Sequence, residues 1–247
     1  MSSNPQQSTG GLPTVLLVHG AFAESASWNG VVTDLRRRGY PVIAIANPLR
    51  GLRPDAAYTR AVVDSVGGPV VIAGHSYGGA VMAEAAEGAT NVKALVYVAS
   101  FTLDVGESCG DLAAKFPGSE LSSALQPVPF PLPDGSMGTD LYIQQDKFHG
   151  VFAADVAADV AEQMAATQRP VADTALTDTA TAASWKTIPS WAVITTQDLA
   201  IPPESMRFMA QRAGSTAVEV EASHAVTVSQ PGPVAELIDS AARATAG

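Results

Sequence analysis

The sequence predicts an α/β fold: a mostly parallel central sheet with helices on both faces and a cap inserted over its C-terminal edge. Three observations predict it. Short β-branched runs recur without polar alternation, as expected of strands covered on both faces. Alanine-rich segments of helical spacing separate them, as right-handed βαβ crossovers require. The alternation breaks over about 101–186 and then resumes.

In chain order, TVLLVHG (14–20) reads as a buried strand and ASWNGVVTDLRRRG (26–39) as a helix closed by Gly39. PVIAIAN (41–47) is a second strand, followed by a helix over 55–66. PVVIAG (69–74) is a third, with YGGAVMAEAAEGA (77–89) as its helix, and VKALVYVAS (92–100) is a fourth. The insertion reads as irregular, with a Pro-rich piece at 127–135, a hairpin turn at Asp134-Gly135 and one helix near 153–167. SWAVITT (190–196), a helix over 203–213, TAVEVEA (216–222) and a last helix from Pro233 complete the pattern.

A chain of 247 residues accommodates one large α/β domain, placed here at 12–247. Its apolar fraction of 47% and charged fraction of 15% are those of a compact globular protein. A net charge of −10 repels phosphates, so nucleic acid is not an expected partner. Cys109 is the single cysteine, which rules out an internal disulfide and a cysteine metal cluster; it reads as a structural thiol. The opening MSSNPQQSTGG has no basic region followed by an apolar one and so does not read as a secretory signal; its Ser, Gln, Pro and Gly content reads as a mobile tail over residues 1–11. No apolar run approaches the ~20 residues that span a membrane. The expectation is a cytoplasmic protein with neither membrane nor nucleic-acid partner.

VVIAGHSYGGAV (70–81) places Ser76 between glycines where a strand hands over to a helix. A serine presented there sits on a sharp, strained turn, and the residues two before and two after it crowd each other. Gly74 and Gly78 meet that demand, and Gly79 lets the helix approach the strand. The G-x-S-x-G pattern alone is a weak signal; strand before and helix after sharpen it. A serine nucleophile also needs a base, an orienting acid and an oxyanion site.

The histidines are His19, His75, His149 and His224. His224 lies just beyond the last strand and is the expected base. His75 adjoins Ser76 and points elsewhere, His19 is expected to hold its loop by hydrogen bonds, and His149 belongs to the insertion as a surface or substrate-lining residue. Two aspartates leave strand ends toward the same face: Asp198, the favoured orienting acid, and Asp104, its rival; capping is the bland reading of each. The oxyanion donors are expected from the Tyr77 N–H and from the loop after the first strand. Ala21 is the preferred second donor, Phe22 the alternative, and Gly20 is expected to let the backbone turn inward.

The insertion offers Phe116, Phe130, Tyr142, Phe148, Phe152 and Trp185, either for an apolar pocket or for packing the cap. Phe22, His75, Phe148 and Trp185 are the candidate pocket residues.

VHGAFAESASW, GHSYGG, TTQD and SHAV occur in an order that resembles the α/β-hydrolase superfamily over nearly all of 12–245. Within it the chain is most similar to the small branch of plant methyl esterases, hydroxynitrile lyases and bacterial pyrethroid-type carboxylesterases. The Thr196-Gln197-Asp198 match favours Asp198 over Asp104, and the resemblance implies that 101–186 is a cap shaping an acyl or alcohol pocket. Those lyases carry a lysine after the histidine and a threonine after the first-strand histidine, where this chain has Ala225 and Gly20. The implied activity is therefore serine hydrolysis of small to medium, largely apolar carboxylic esters, needing no metal or organic cofactor. Lactone, amide or C–C bond hydrolysis, perhydrolysis, and a weakly catalytic small-molecule receptor are the alternatives.

Overall fold

In the computed structural model the described residues are 11–246. The expected mobile tail therefore lies outside them, Gly11 apart. The first half of the chain builds β1 (Thr14–Val18), α1 (Asn29–Arg37), β2 (Val42–Ile45), α2 (Leu52–Asp64), β3 (Val70–His75), α3 (Tyr77–Ala86) and β4 (Val92–Val98). The cap follows: α4 (Cys109–Ala114), α5 (Leu121–Ala124), β5 (Leu125–Pro131), β6 (Met137–Ile143), α6 (Gln145–Phe152), α7 (Ala158–Thr167), β7 (Val171–Ala172) and α8 (Asp173–Thr177). The chain then returns through β8 (Ser190–Thr195), α9 (Pro203–Ala213), β9 (Thr216–Val220), α10 (Val226–Ser229) and α11 (Pro231–Ala244).

Six strands pair in the order β2-β1-β3-β4-β8-β9, all parallel. Every residue of β3 is buried, as its unbroken apolar run implies. Helices α1 and α11 pack together on one face, α2 and α3 on the other. From β1 the chain runs outward to β2 and returns to β3 on the other side of β1. The strand order thus reverses between β1 and β3, where ligands bind in open α/β sheets. Val18 is in register with Gly74, so the loops that leave these two strands are neighbours.

The insertion is more regular than its composition suggests. Its Pro-rich piece is β5, the edge strand of a three-stranded antiparallel sheet. Pro127, Pro129 and Pro131 alternate with Val128 and Phe130, so the missing N–H groups all fall on the side without a partner strand. Gly135 makes the expected turn at φ 85°. The helix expected near 153–167 is α7, which begins only at Ala158, and a separate helix, α6, ends before it at Phe152. They are separated by a turn in which the Ala153 N–H donates to His149 O (3.1 Å) and the Val156 N–H to Ala153 O (3.0 Å). The His149 ring closes this turn through Nε2 on Val156 O (3.0 Å) and so has a structural place.

Close approach of α3 to the sheet rests on glycine. A Cβ at Gly74 would lie 2.6 Å from Gly78 O and from the Gly79 Cα, and one at Gly79 would overlap Ser100 Oγ. Gly74→Ala is expected to lower unfolding free energy by about 1–3 kcal/mol, the range for overpacking a tight core. Exposed Gly67, where a Cβ meets nothing within 4 Å, serves as the control in the same urea titration. Equal stability of the two alanine variants would show that α3 can retreat at no cost.

Candidate active site

Ser76 joins β3 to α3 with φ 55° and ψ −127°, a strained conformation for a residue with a side chain. Its backbone is tied to the exit of β4: the Ser76 N–H donates to Val98 O (3.2 Å), and Ser76 O accepts from Ser100 Oγ (2.6 Å). The Gly79 N–H adds a third bond, to Ser76 O (3.0 Å). Gly20 serves this turn in a different way from the one expected. A Cβ there would stand 2.6 Å from Ser76 Cβ and 2.7 Å from His75 O, so the position needs room rather than conformational freedom.

Asp198 and His224 arrive from the ends of β8 and β9. The His224 Nδ1 lies 2.7 Å from Asp198 Oδ2, with both side chains buried. Asp198 Oδ2 also accepts from Thr195 Oγ1 (2.8 Å), and Oδ1 from the Ala200 and Ile201 N–H groups (2.8 Å each). With both oxygens so engaged, the carboxylate is held in one orientation. A proton on Nδ1 facing that carboxylate leaves Nε2 as an acceptor. Asp104 is elsewhere, on the surface with the Lys186 ammonium, whose hydrogen bond lowers its pKa.

Ser76 and His224 line one cavity of ≈ 60 Å³, together with Ala21, Phe22 and Tyr77. The rest of its wall is apolar and includes Phe101, Cys109, Phe152 and Leu176. Burial pushes the Cys109 thiol pKa up, so it stands there as an uncharged group. The Phe22 N–H donates to Arg169 O in the cap (3.1 Å), which commits it away from the cavity. The Tyr77 hydroxyl donates to Asp55 Oδ2 (2.8 Å), anchoring the residue that follows Ser76 to the start of α2.

Of the candidate pocket residues, only Phe22 lines this cavity. His75 lies behind His224, its Nε2 donating to His224 O (2.8 Å). Phe148 is fully buried and backs Phe152, ring centroids 5.0 Å apart. Trp185 is half-buried at the sheet's flank, where its Nε1–H donates to Leu103 O (2.8 Å) and Arg212 covers its ring. Sequence order carries no signal for the placements of His75 and Trp185, nor for Ser100 and Asp55, because each acts across a long stretch of chain. Thr195 alone had a local cue, as the strand-end neighbour of TQD.

Burial is the main cause that lowers the His75 pKa to about 3, with the neighbouring His224 as the second. His19 is lowered to about 4, again chiefly by burial. It accepts the Asn47 N–H on Nε2 (3.0 Å), while Asn47 Nδ2 donates to His19 O (3.0 Å), so it holds the β1 loop as expected. Among the described residues no group of three or more His, Cys, Asp or Glu could hold a metal, and no helix is long and apolar enough to cross a membrane. Both histidines are neutral when folded and bind protons when unfolded, below a pKa of about 6.5. Their stabilising effect is complete above that value and declines as pH falls toward about 4 for His19 and 3 for His75. The thermal midpoint is expected to start falling below about pH 6.5, before the carboxylates titrate; a flat midpoint from about 6.5 to 5 would contradict this.

The family model described as "Alpha/beta hydrolase family" matches residues 15–237. An Aspergillus novofumigatus protein named "Alpha/beta hydrolase nvfD" is 27% identical over 253 residues, covering 93% of this chain and 96% of that one. Among solved structures, polyneuridine aldehyde esterase is similar at a TM-score of 0.80 and 18% identity, over 93% of this chain and 99% of that one. A pyrethroid hydrolase from Sphingobium faniae JZ-2 is similar at 0.76 and 21%, over 96% and 99%. The chain belongs to the alpha/beta hydrolase family.

Proposed function

We propose that the protein is a serine hydrolase of carboxylic esters, working through Ser76, His224 and Asp198. The observation that carries this reading is the buried 2.7 Å contact between His224 Nδ1 and a fully engaged Asp198, beside the strained Ser76 in one cavity. His224 Nε2 takes the proton from Ser76 Oγ as the oxygen attacks the ester carbonyl. Asp198 holds the imidazole in the required tautomer and stabilises it once charged. The carbonyl oxygen becomes an oxyanion facing the N–H groups of Ala21 and Tyr77; the engagement of the Phe22 N–H by Arg169 O favours Ala21 for this role. The C–O bond to the alcohol breaks as His224 returns the proton to it. Water then attacks the acyl group on Ser76 by the same steps, releasing acid and free serine.

The apolar cavity wall supports ester substrates with apolar acyl groups, and the names esterase and pyrethroid hydrolase borne by two similar proteins agree with ester cleavage. The protein's working compartment, on this reading, is the cytoplasm. Rapid mixing with 4-nitrophenyl acetate, followed by intact mass, tests the mechanism. Wild type is expected to show turnover and a transient acetyl adduct. Ser76→Ala is expected to lose both, with kcat down ~10³-fold or more. Wild-type turnover by that variant would remove Ser76 from the chemistry. Asp198→Asn is expected to lower kcat by about 10²–10⁴ while the fold persists, because an amide no longer selects the Nδ1–H tautomer. An unchanged kcat in that variant would leave Asp198 with a structural role only.

A further inference from the structure

A second space adjoins the cavity that holds Ser76. It is a groove of ≈ 310 Å³ between the loop after β1 and one side of α7, with Glu24, Asn29, Val160, Gln163 and Met164 in its walls. Phe22 belongs to the walls of both spaces. Val228 of α10 also lines the groove.

The two spaces differ in size and character. By the measure in which one water-sized group needs ~10–15 Å³, the inner cavity holds roughly five such groups, an acyl chain of about two to five carbons. The outer groove falls in the range of about 300–1,000 Å³ typical of sites for whole small molecules. Its walls mix apolar side chains with amides and hydroxyls, and among the described residues Glu24 is its only charged member, facing Arg169 at 3.6 Å. Between the two stands Phe22, nearly fully buried and edge-on to Phe152. Its φ of 61° is strained for a bulky residue, and the Arg169 carbonyl on its N–H helps to hold it so.

We propose that the two spaces are the two halves of one ester site. The inner cavity takes a short apolar acyl group, the outer groove takes a bulky, uncharged alcohol half, and Phe22 divides them. This rests on the hydrolase reading above. The alcohol that leaves must take its proton from His224, which lines the inner cavity, and Phe22 is the wall that this cavity shares with the groove.

The test measures kcat/KM for two pairs of esters: 1-naphthyl acetate against ethyl acetate, and 4-nitrophenyl butyrate against 4-nitrophenyl acetate. Val160 is 37% exposed, so Val160→Trp narrows the groove without entering the core. It is expected to lower the naphthyl-to-ethyl ratio about tenfold relative to wild type. Ala113→Leu, in the inner wall, is expected to lower the butyrate-to-acetate ratio instead. An unchanged naphthyl-to-ethyl ratio in Val160→Trp would overturn the assignment of the groove, and so would a shift of both ratios alike by either variant. A wild-type protein that hydrolyses none of the four esters would instead remove the hydrolase reading itself.

Discussion

Ser76 keeps a left-handed φ of 55° with a side chain attached, a conformation costing about 1–3 kcal/mol that persists only where its surroundings over-determine it. Four chain segments meet that condition. The β4 exit binds its backbone through Val98 and Ser100, α3 begins on it, the β1 loop presses Gly20 against its Cβ, and Asp55 at the start of α2 anchors Tyr77. The glycines at 20, 74, 78 and 79 are consequences of that convergence, since a Cβ at each would meet a neighbour at less than contact distance. The strain is thus offset by packing, and the hydroxyl is presented at the point where the strand order reverses.

The histidine is fixed in a complementary way, from the elbow and the cap at once. His75 donates to its carbonyl, and the Ala225 N–H donates to Phe152 O (3.0 Å). The Ser223 hydroxyl bonds the Asp155 carboxylate in the turn between α6 and α7, and the Phe152 ring stands 4.8 Å from the imidazole. The break between α6 and α7 therefore has a physical use: it brings a carbonyl, a carboxylate and an aromatic ring onto the His224 loop. The cap is part of the site's framework as well as its cover.

Charge is distributed in keeping with this. The chain carries a net charge of −10, and ion pairs such as Arg207–Glu219 lie at its surface. Inside, the two histidines flanking the site are kept neutral by burial, and the buried Asp55 carboxyl is pushed upward by the same desolvation despite its hydrogen bonds. Asp198 receives four hydrogen bonds, so its charge is spread over fixed donors. An apolar cavity with the neutral His75 behind it and a buried, fully hydrogen-bonded carboxylate at Asp198 suits chemistry in which charge develops only as the reaction proceeds.

Alternation of apolar runs with helical segments determined the sheet and its helices, because burial on both faces forces continuous hydrophobicity into parallel strands. Local chemistry likewise determined the elbow at Ser76: glycine spacing is a steric requirement of one short turn and is written where it acts. The hairpin at Asp134-Gly135 was legible for the same reason. Only the tertiary structure decided where the side chains of the insertion go. Trp185 joined the flank and His75 turned behind His224 through contacts with residues far away in the chain, and Phe148, one helical turn before Phe152, became its backing once α6 was buried against the rest of the fold. The prolines of β5 mislead a composition-based reading because their tolerance depends on an edge position, which exists only once β6 has paired. Asp198 could be favoured over Asp104 from its motif, but the bond to His224 depends on how the ends of β8 and β9 are juxtaposed. The sequence alone thus determined what is governed within a few residues, the strands and the tight turn at Ser76, while the walls of the cavity were decided by packing between segments that the chain's order does not bring together.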